Sequence, residues 1–329
     1  MIVGRSPAIR RAVALAECYA RTRLPILLVG ATGTGKELFA EHIHQRSGRP
    51  GPLVDVNCGA LPRDMVESLL FGHCRGAFTG AVESSVGHIE RSDGGTLFLD
   101  ELTSLSPEAQ GTLLRVLEKG EVQPLGAGAK RRVDFRVVSA VQDDISAALA
   151  SGCFRRDLFQ RVAGVAIELS PLAERPEDIP MLAEHFAALQ RQRLEPDAER
   201  VLLTYSWPGN VRELRLVIER AAGLVRNGTL HAGALAEAIR LGAPAGLVST
   251  PWGAHASTRP EISTRGALLA LLREHEWIVE RVAAALGIGR TALFKRLRAA
   301  GISLRDERKY TKFTAYANAV NLANGAPTL

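Results

Sequence analysis

Residues 24–36, LPILLVGATGTGK, decide how this chain folds. Ile26-Leu27-Leu28-Val29 is a short run, apolar on both faces, that stops at Gly30, as a buried parallel strand does. The next seven residues, Gly30-Ala31-Thr32-Gly33-Thr34-Gly35-Lys36, fit G-x-x-x-x-G-K, and KELFAEHIHQRS (36–47) follows with helical spacing. A strand, a glycine-rich turn and a helix, in that order, form the setting of a phosphate-binding loop. The glycines let backbone N–H groups converge on phosphate oxygens, and the helix N-terminus adds its dipole. Lys36 is expected to reach the β- and γ-phosphates of a nucleotide. Glu37 follows it where such loops place Ser or Thr, so the hydroxyl that usually meets magnesium is absent there.

Downstream, Leu97-Phe98-Leu99-Asp100-Glu101 is an apolar strand ending in two carboxylates. Asp100 suits a magnesium ion held through water, and Glu101 suits orienting or deprotonating an attacking water. Together the two elements read as an ATPase that uses ATP and Mg2+. PLVDVNC (52–58), FRVVSAV (135–141) and VAIELS (165–170) are further strand-like runs, separated by helical stretches such as MVESLLF and SPEAQGTLLRVLEKGE. That alternation predicts an α/β fold with a parallel sheet.

Beyond Pro171 the strand signals stop, and four amphipathic stretches predict a small all-helical domain. The expected organisation is an α/β subdomain over 1–171, a helical lid over 172–242, a flexible Gly/Pro/Ser-rich linker over 243–263, a helical domain over 264–302 and a loosely ordered tail over 303–329.

Charge separates the last part from the rest. Residues 1–242 hold 29 basic and 29 acidic side chains, so the whole net charge of +6 lies in the final 87 residues, which points to a polyanionic partner there. Within 264–302, Gly287 makes a turn between two helical pieces, and Leu293 and Leu297 are placed to face inward. This reads as a helix-turn-helix for double-stranded DNA. Arg290, Thr291 and Lys295 are the base-edge candidates, while Arg296 and Arg298 suit phosphate contacts.

With 46% hydrophobic and 23% charged residues, the chain is not a disordered or fibrous one. No apolar run approaches the roughly 20 residues that cross a bilayer. Arg10, Arg11 and Glu17 interrupt the start where a signal peptide would be apolar. The four cysteines form no C-x-x-C pair, which argues against a disulfide framework or zinc ribbon and for a reducing cytosol.

The most specific stretch is ESLLFGHCRGAFTGA (67–81). It resembles the signature of bacterial enhancer-binding proteins, the AAA+ activators of sigma-54 RNA polymerase. The resemblance runs from about Val3 to Ser303 and includes GRSPAI (4–9), VNCGALP (56–62), GGTLFLDE (94–101), QGTLLRVLEKGE (110–121), PLAERPEDIP (171–180) and WPGNVREL (207–214). It implies a homo-oligomer, a hexamer, that binds an upstream DNA site and couples ATP hydrolysis to remodelling of sigma-54 holoenzyme in the cytoplasm, at the nucleoid. It implies that Gly76, Ala77, Phe78, Thr79, Gly80 and Ala81 form the loop that touches sigma-54. Asn57 takes the place of the asparagine that senses nucleotide state and holds Glu101. Arg155 and Arg161 resemble arginine fingers, Gln142 stands at sensor I, and Arg212 matches the sensor-II arginine. The end of the chain is similar to the Fis-like domain of these activators.

Some positions depart from the family pattern. Ala31 replaces an acidic residue, Gln142 an Asn or His, Ala173 an arginine, and Arg215 a common asparagine. They keep open an alternative, a DNA-binding regulator whose weak or uncoupled ATPase is an assembly switch. Because the ATPase signature begins almost at residue 1, no N-terminal regulatory domain is expected.

Overall fold

The computed structural model describes residues 2–142, 145–225 and 228–242, together with Leu268, Leu272, Val279, Val282, Leu293, Leu297 and Ile302. The first part of the chain runs α1 (Pro7–Ala20), β1 (Ile26–Val29), α2 (Lys36–Ser47), β2 (Leu53–Asn57), α3 (Val66–Phe71), β3 (Gly72–His73), β4 (Ser85–Val86) and α4 (His88–Arg91). It continues through β5 (Thr96–Asp100), α5 (Pro107–Lys119), β6 (Glu121–Val122), β7 (Arg131–Arg132), β8 (Arg136–Val141), α6 (Ile145–Ser151), α7 (Arg156–Val162) and β9 (Val165–Glu168). Five of the strands form one parallel sheet in the order β2-β5-β8-β1-β9. The central strands β5, β8 and β1 are largely apolar because helices cover both faces of the sheet there, as in β8, where all six residues are buried, while the edge strands β2 and β9 are partly exposed.

One core lies between the sheet and α1 and α2, with Ile9, Ala16, Phe39 and Ile43 against Phe98 and Val138. The other gathers Leu70, Phe71, Leu113 and Leu158 against Leu97 and Leu99. Local signals place the helix ends. Ser6 caps α1 by accepting from Ile9 N and is followed by Pro7. Ser106 and Pro107 repeat the device at α5, which stops at the left-handed Gly120. Arg136 closes the other end of α1: its buried guanidinium donates to the carbonyls of Tyr19, Ala20, Thr22 and Leu24.

The lid follows as α8 (Asp178–Leu189), β10 (Arg193–Leu194), α9 (Ala198–Thr204), α10 (Asn210–Leu224), β11 (Thr229–Leu230) and α11 (Ala232–Gly242). Its own core centres on Trp207, Leu214, Val217 and Leu235. The four helices agree with the sequence reading. The two-residue parallel pair β10–β11 does not, since pairs that short leave no periodic signal. A buried carboxylate ties the lid to the start of the chain: Asp178 accepts from Arg5 N (2.6 Å), Ser6 N (2.7 Å) and Ser6 Oγ (2.6 Å), and pairs with Arg175 at 3.6 Å.

A second unit covers residues 249–329. Within it Leu268, Leu272, Val279, Val282, Leu293 and Leu297 are helical, and all but Val279 are buried, the two leucines expected to face inward among them. Arg290, Thr291, Lys295, Arg296 and Arg298, the linker 243–263 and the tail beyond Ser303 lie outside the described residues. Among the described residues no helix is long and apolar enough to cross a membrane.

Candidate functional site

Sheet register assembles the site. Asn57 lies beside Asp100, Leu99 beside Ser139, and Val141 beside Val29, so β2, β5, β8 and β1 end along one edge. Ligands in α/β sheets bind at that carboxyl edge. There, a cavity of about 380 Å³ is lined by Thr32, Gly33, Gly35, Lys36 and Glu37 from the glycine-rich loop and α2, and by Asn57, Asp100, Glu101 and Gln142 from the strand ends. Arg212 and Arg215 reach it from the lid. Residues as far apart in sequence as Thr32 and Arg215 thus meet at one opening.

The loop is held by its own lysine and by the lid. Lys36 is buried, and its Nζ donates to Gly30 O (2.7 Å) and Ala31 O (3.2 Å). Thr34 Oγ1 donates to Ala31 O (2.8 Å), and Gly30 N to Val141 O (3.2 Å). From the lid, Asn210 Nδ2 donates to Thr32 O (2.9 Å), Val211 N to Gly33 O (2.9 Å) and Arg175 Nη2 to Thr34 O (3.3 Å). Gly33 needs its glycine for two reasons: φ is +80°, and a Cβ there would collide with Gly209 O. α2 starts on the left-handed Gly35 with no side-chain cap, which leaves its first turn to a ligand.

Glu101 stands apart in its backbone. It is a non-glycine residue with φ +52°, its N–H donates to Asp100 Oδ1 (2.9 Å), and its carboxylate lies over Gly59 where a Cβ would collide with Oε2. Such an αL conformation in a non-glycine costs about 1 kcal/mol and concentrates at functional sites. Asn57 Oδ1 accepts from Ala60 N (3.0 Å) in the turn beneath, and no hydrogen bond joins Asn57 to Glu101. The wall is electronegative. Burial, and then Glu37, Asp100 and Glu41, push the Asp55 carboxyl up. Burial, followed by Asp100, Glu101 and Asp55, pushes the Cys58 thiol to about 12. Among the described residues no group of three or more His, Cys, Asp or Glu could hold a metal ion by itself, so a divalent cation drawn to this acidic wall would need oxygens from a bound ligand beside Asp100.

Arg155 and Arg161 are not at this cavity. Arg155 is half exposed and ion-paired with Asp157 at 2.7 Å; the hydrogen bond from Arg155 holds the Asp157 carboxyl down at about 2. Arg161 donates to Leu117 O through Nη2 (2.6 Å) and Nε (3.2 Å). Both lie at α7, on the surface beside α5.

The 76–81 loop is also separate from the cavity. It tips the antiparallel hairpin of β3 and β4 and closes on itself through Gly76 N to Ala81 O (2.9 Å) and Ala81 N to Phe78 O (3.0 Å), with Gly76 and Gly80 at positive φ. Phe78 is 42% exposed and stands edge-on to His73, ring centroids 5.1 Å apart; Thr79 is exposed and Ala81 buried. A second hairpin braces this one: Leu125 N donates to Gly72 O and Cys74 N to Leu125 O, both at 2.9 Å.

Two groups went unread in the sequence. Asn210, inside WPGNVREL, uses both ends of its amide: Oδ1 accepts from Leu172 N (2.7 Å) while Nδ2 holds Thr32 O. Beside the loop, a small apolar slot is lined by Ile2, Val3, Leu38, His185, Phe186 and Val211, contiguous with the cavity through Gly35 and Leu38. The GRSPAI run next to Val3 was the available signal for it.

The family model described as Sigma-54 interaction domain matches residues 2–168, and that described as AAA+ ATPase lid domain matches residues 173–249. The transcriptional regulatory protein XylR of Pseudomonas putida is 44% identical over 233 residues, which cover 68% of this chain and 41% of XylR. The C4-dicarboxylate transport transcriptional regulatory protein DctD of Rhizobium meliloti is 40% identical over 313 residues, 93% of this chain and 65% of DctD. The chain thus spans less than two thirds of these relatives. The crystal structure of NtrX from Brucella abortus in complex with ATP superposes with a TM-score of 0.69 at 31% identity, covering 92% of this chain and 70% of NtrX.

Proposed function

Because the chain belongs to the sigma-54 interaction family of AAA+ ATPases, we propose that it is a hexameric activator that binds double-stranded DNA upstream of a promoter. There it couples ATP hydrolysis to remodelling of sigma-54 RNA polymerase holoenzyme, in the cytoplasm. The observation that carries this reading is one folded unit holding both a phosphate-loop cavity at the sheet's carboxyl edge and, away from it, an exposed Phe78–Thr79 tip on a braced hairpin. An ATP-bound structure of the related NtrX supports the nucleotide.

On this reading Lys36 leaves the carbonyls of Gly30 and Ala31 for the β- and γ-phosphates, and the amides of Ala31 to Glu37 surround them. The base enters the apolar slot between Val3 and Phe186. Asp100 would hold a magnesium ion through water, and such an ion would supply charge neutralisation on the phosphates. Glu101 orients the attacking water and accepts its proton. Asn57 reports nucleotide state to Glu101 from across the β2–β5 register. Gln142 meets the terminal phosphate, and Arg212 carries nucleotide state into the lid. Arg155 and Arg161 do not line their own cavity, which suits fingers offered to a neighbouring subunit, where they neutralise charge developing on the γ-phosphate. Phe78 and Thr79 contact sigma-54, and Arg290, Thr291, Lys295, Arg296 and Arg298 hold DNA.

The test is promoter opening by the purified chain with sigma-54 holoenzyme, comparing ATP with a non-hydrolysable analogue. Opening with ATP alone is expected. Nucleotide and DNA binding without opening would overturn the reading in favour of an uncoupled regulator.

A further inference from the structure

Gln110 is fully buried at the start of α5, an unusual place for a polar side chain on a helix whose neighbours pack a core. Its amide is completely engaged with backbone. Nε2 donates to Leu105 O (2.8 Å) and to Cys153 O (3.0 Å), and Oε1 accepts from Arg155 N (2.9 Å). Leu105 ends the single 3-10 turn (Leu102–Ser104) that leaves Glu101, and that turn is closed by Ser104 N to Glu101 O at 2.8 Å. Cys153 and Arg155 flank the buried Phe154 and lead directly into α7. One side chain therefore bridges the turn that starts at Glu101 and the backbone that carries Arg155. At the far end of α5, Leu117 O receives the guanidinium of Arg161.

We propose that Gln110 is a positioning residue that ties the Glu101 turn of one subunit to the arginine finger this subunit offers its neighbour. The inference rests on the reading of Arg155 as a finger that acts in the next subunit. Its physical content is stiffness. A planar amide bonded to three backbone groups in a buried site cannot yield without leaving donors or acceptors unpaired, so a shift of Leu105 moves Cys153 and Arg155 with it. The pattern also selects glutamine. Two of the three partners are carbonyls that need a donor, which a carboxylate lacks, and the third is an N–H that needs an acceptor, which an ammonium lacks.

The test uses full chains and subunit mixing. Gln110→Met keeps the shape and removes the three bonds, and is expected to lower kcat for ATP about 10- to 100-fold, as a misplacement of about 1 Å does to a catalytic group, with KM within about twofold. Glu101→Gln is inactive in its own site but keeps its finger. Mixing the two is expected to restore turnover, because Gln110→Met sites then receive a correctly held arginine. Mixing Arg155→Ala with Glu101→Gln is the control. If that control restores turnover and the Gln110→Met mixture does not, Gln110 acts within its own fold or site and the inference fails. If neither mixture restores turnover, the finger reading itself fails. Should Gln110→Met not fold, Gln110→Asn serves. It keeps the amide but draws its oxygen one methylene away from Arg155 N, and the same rescue is expected; full activity of Gln110→Asn alone would overturn the proposal.

Discussion

Replacing Asn210 separates the two ways the lid grips the phosphate loop. The side chain is buried, donates to Thr32 O at 2.9 Å and accepts from Leu172 N at 2.7 Å, and sits at φ +54°. Asn210→Ala leaves a backbone N–H and a backbone C=O without partners. At about 1–3 kcal/mol for each buried group stranded, the two together set an upper range of about 2–6 kcal/mol, and the part-buried Thr32 carbonyl keeps the loss towards its lower half. Alanine adds a cost of about 1 kcal/mol for a left-handed backbone that asparagine tolerates better. Asn210→Gly loses the same two bonds but not the backbone term, so it should be the more stable of the pair by about 1 kcal/mol. Urea denaturation of the whole chain, with m-values compared, reads both differences. A loss below about 1 kcal/mol for both variants would refute the hydrogen-bond reasoning, and equal stability of the two would refute the backbone term. Because Thr32 belongs to the loop, both variants should also raise the KM for ATP.

Three further outcomes follow from the same geometry. Thr79→Ala should leave ATP turnover near wild type while abolishing sigma-54 promoter opening, since Thr79 is exposed and away from the cavity; loss of turnover, or opening that persists, would count against the loop assignment. Arg136→Lys should destabilise the chain by about 2–4 kcal/mol in thermal or urea unfolding, because an ammonium cannot match a planar guanidinium that meets four carbonyls at the end of α1. Cys58 should resist alkylation at pH 8 in the folded chain while the exposed Cys18 and Cys153 react. Its folded pKa of about 12 exceeds the unfolded value of 9.0, so its contribution is intact below pH 9 and falls as pH rises towards 12. Stability measured against Cys58→Ala over that range should show the decline.

Much of the fold was legible because its signals are local. Ile26–Val29, Thr96–Asp100 and Arg136–Val141 are largely apolar stretches because they are buried on both faces, while the edge strands Leu53–Asn57 and Val165–Glu168, which are partly exposed, read as shorter apolar runs bounded by turns. The ends of α1 and α5 could be read from a serine followed by proline. The short pairs β3–β4, β6–β7 and β10–β11 could not, because two residues carry no period. Gln110, Asn210 and Asp178 were silent for another reason: a polar residue in a helical stretch has the same spacing whether it faces water or is buried against distant backbone.

The sequence by itself determined the α/β class, the phosphate loop with Lys36, the acidic strand end at Asp100 and Glu101, and the family through its 67–81 stretch. Each is written in contiguous residues, where backbone chemistry and spacing suffice. Only the tertiary structure decided that Asn57, Gln142 and Arg212 share one cavity with Lys36, that Arg155 and Arg161 lie outside it, and that Gln110 and Asn210 spend their amides on distant backbone. Those facts depend on parallel register and on burial of hydrogen-bonding groups between segments far apart in the chain. A buried donor must find its acceptor in space, and no local pattern records where that acceptor is.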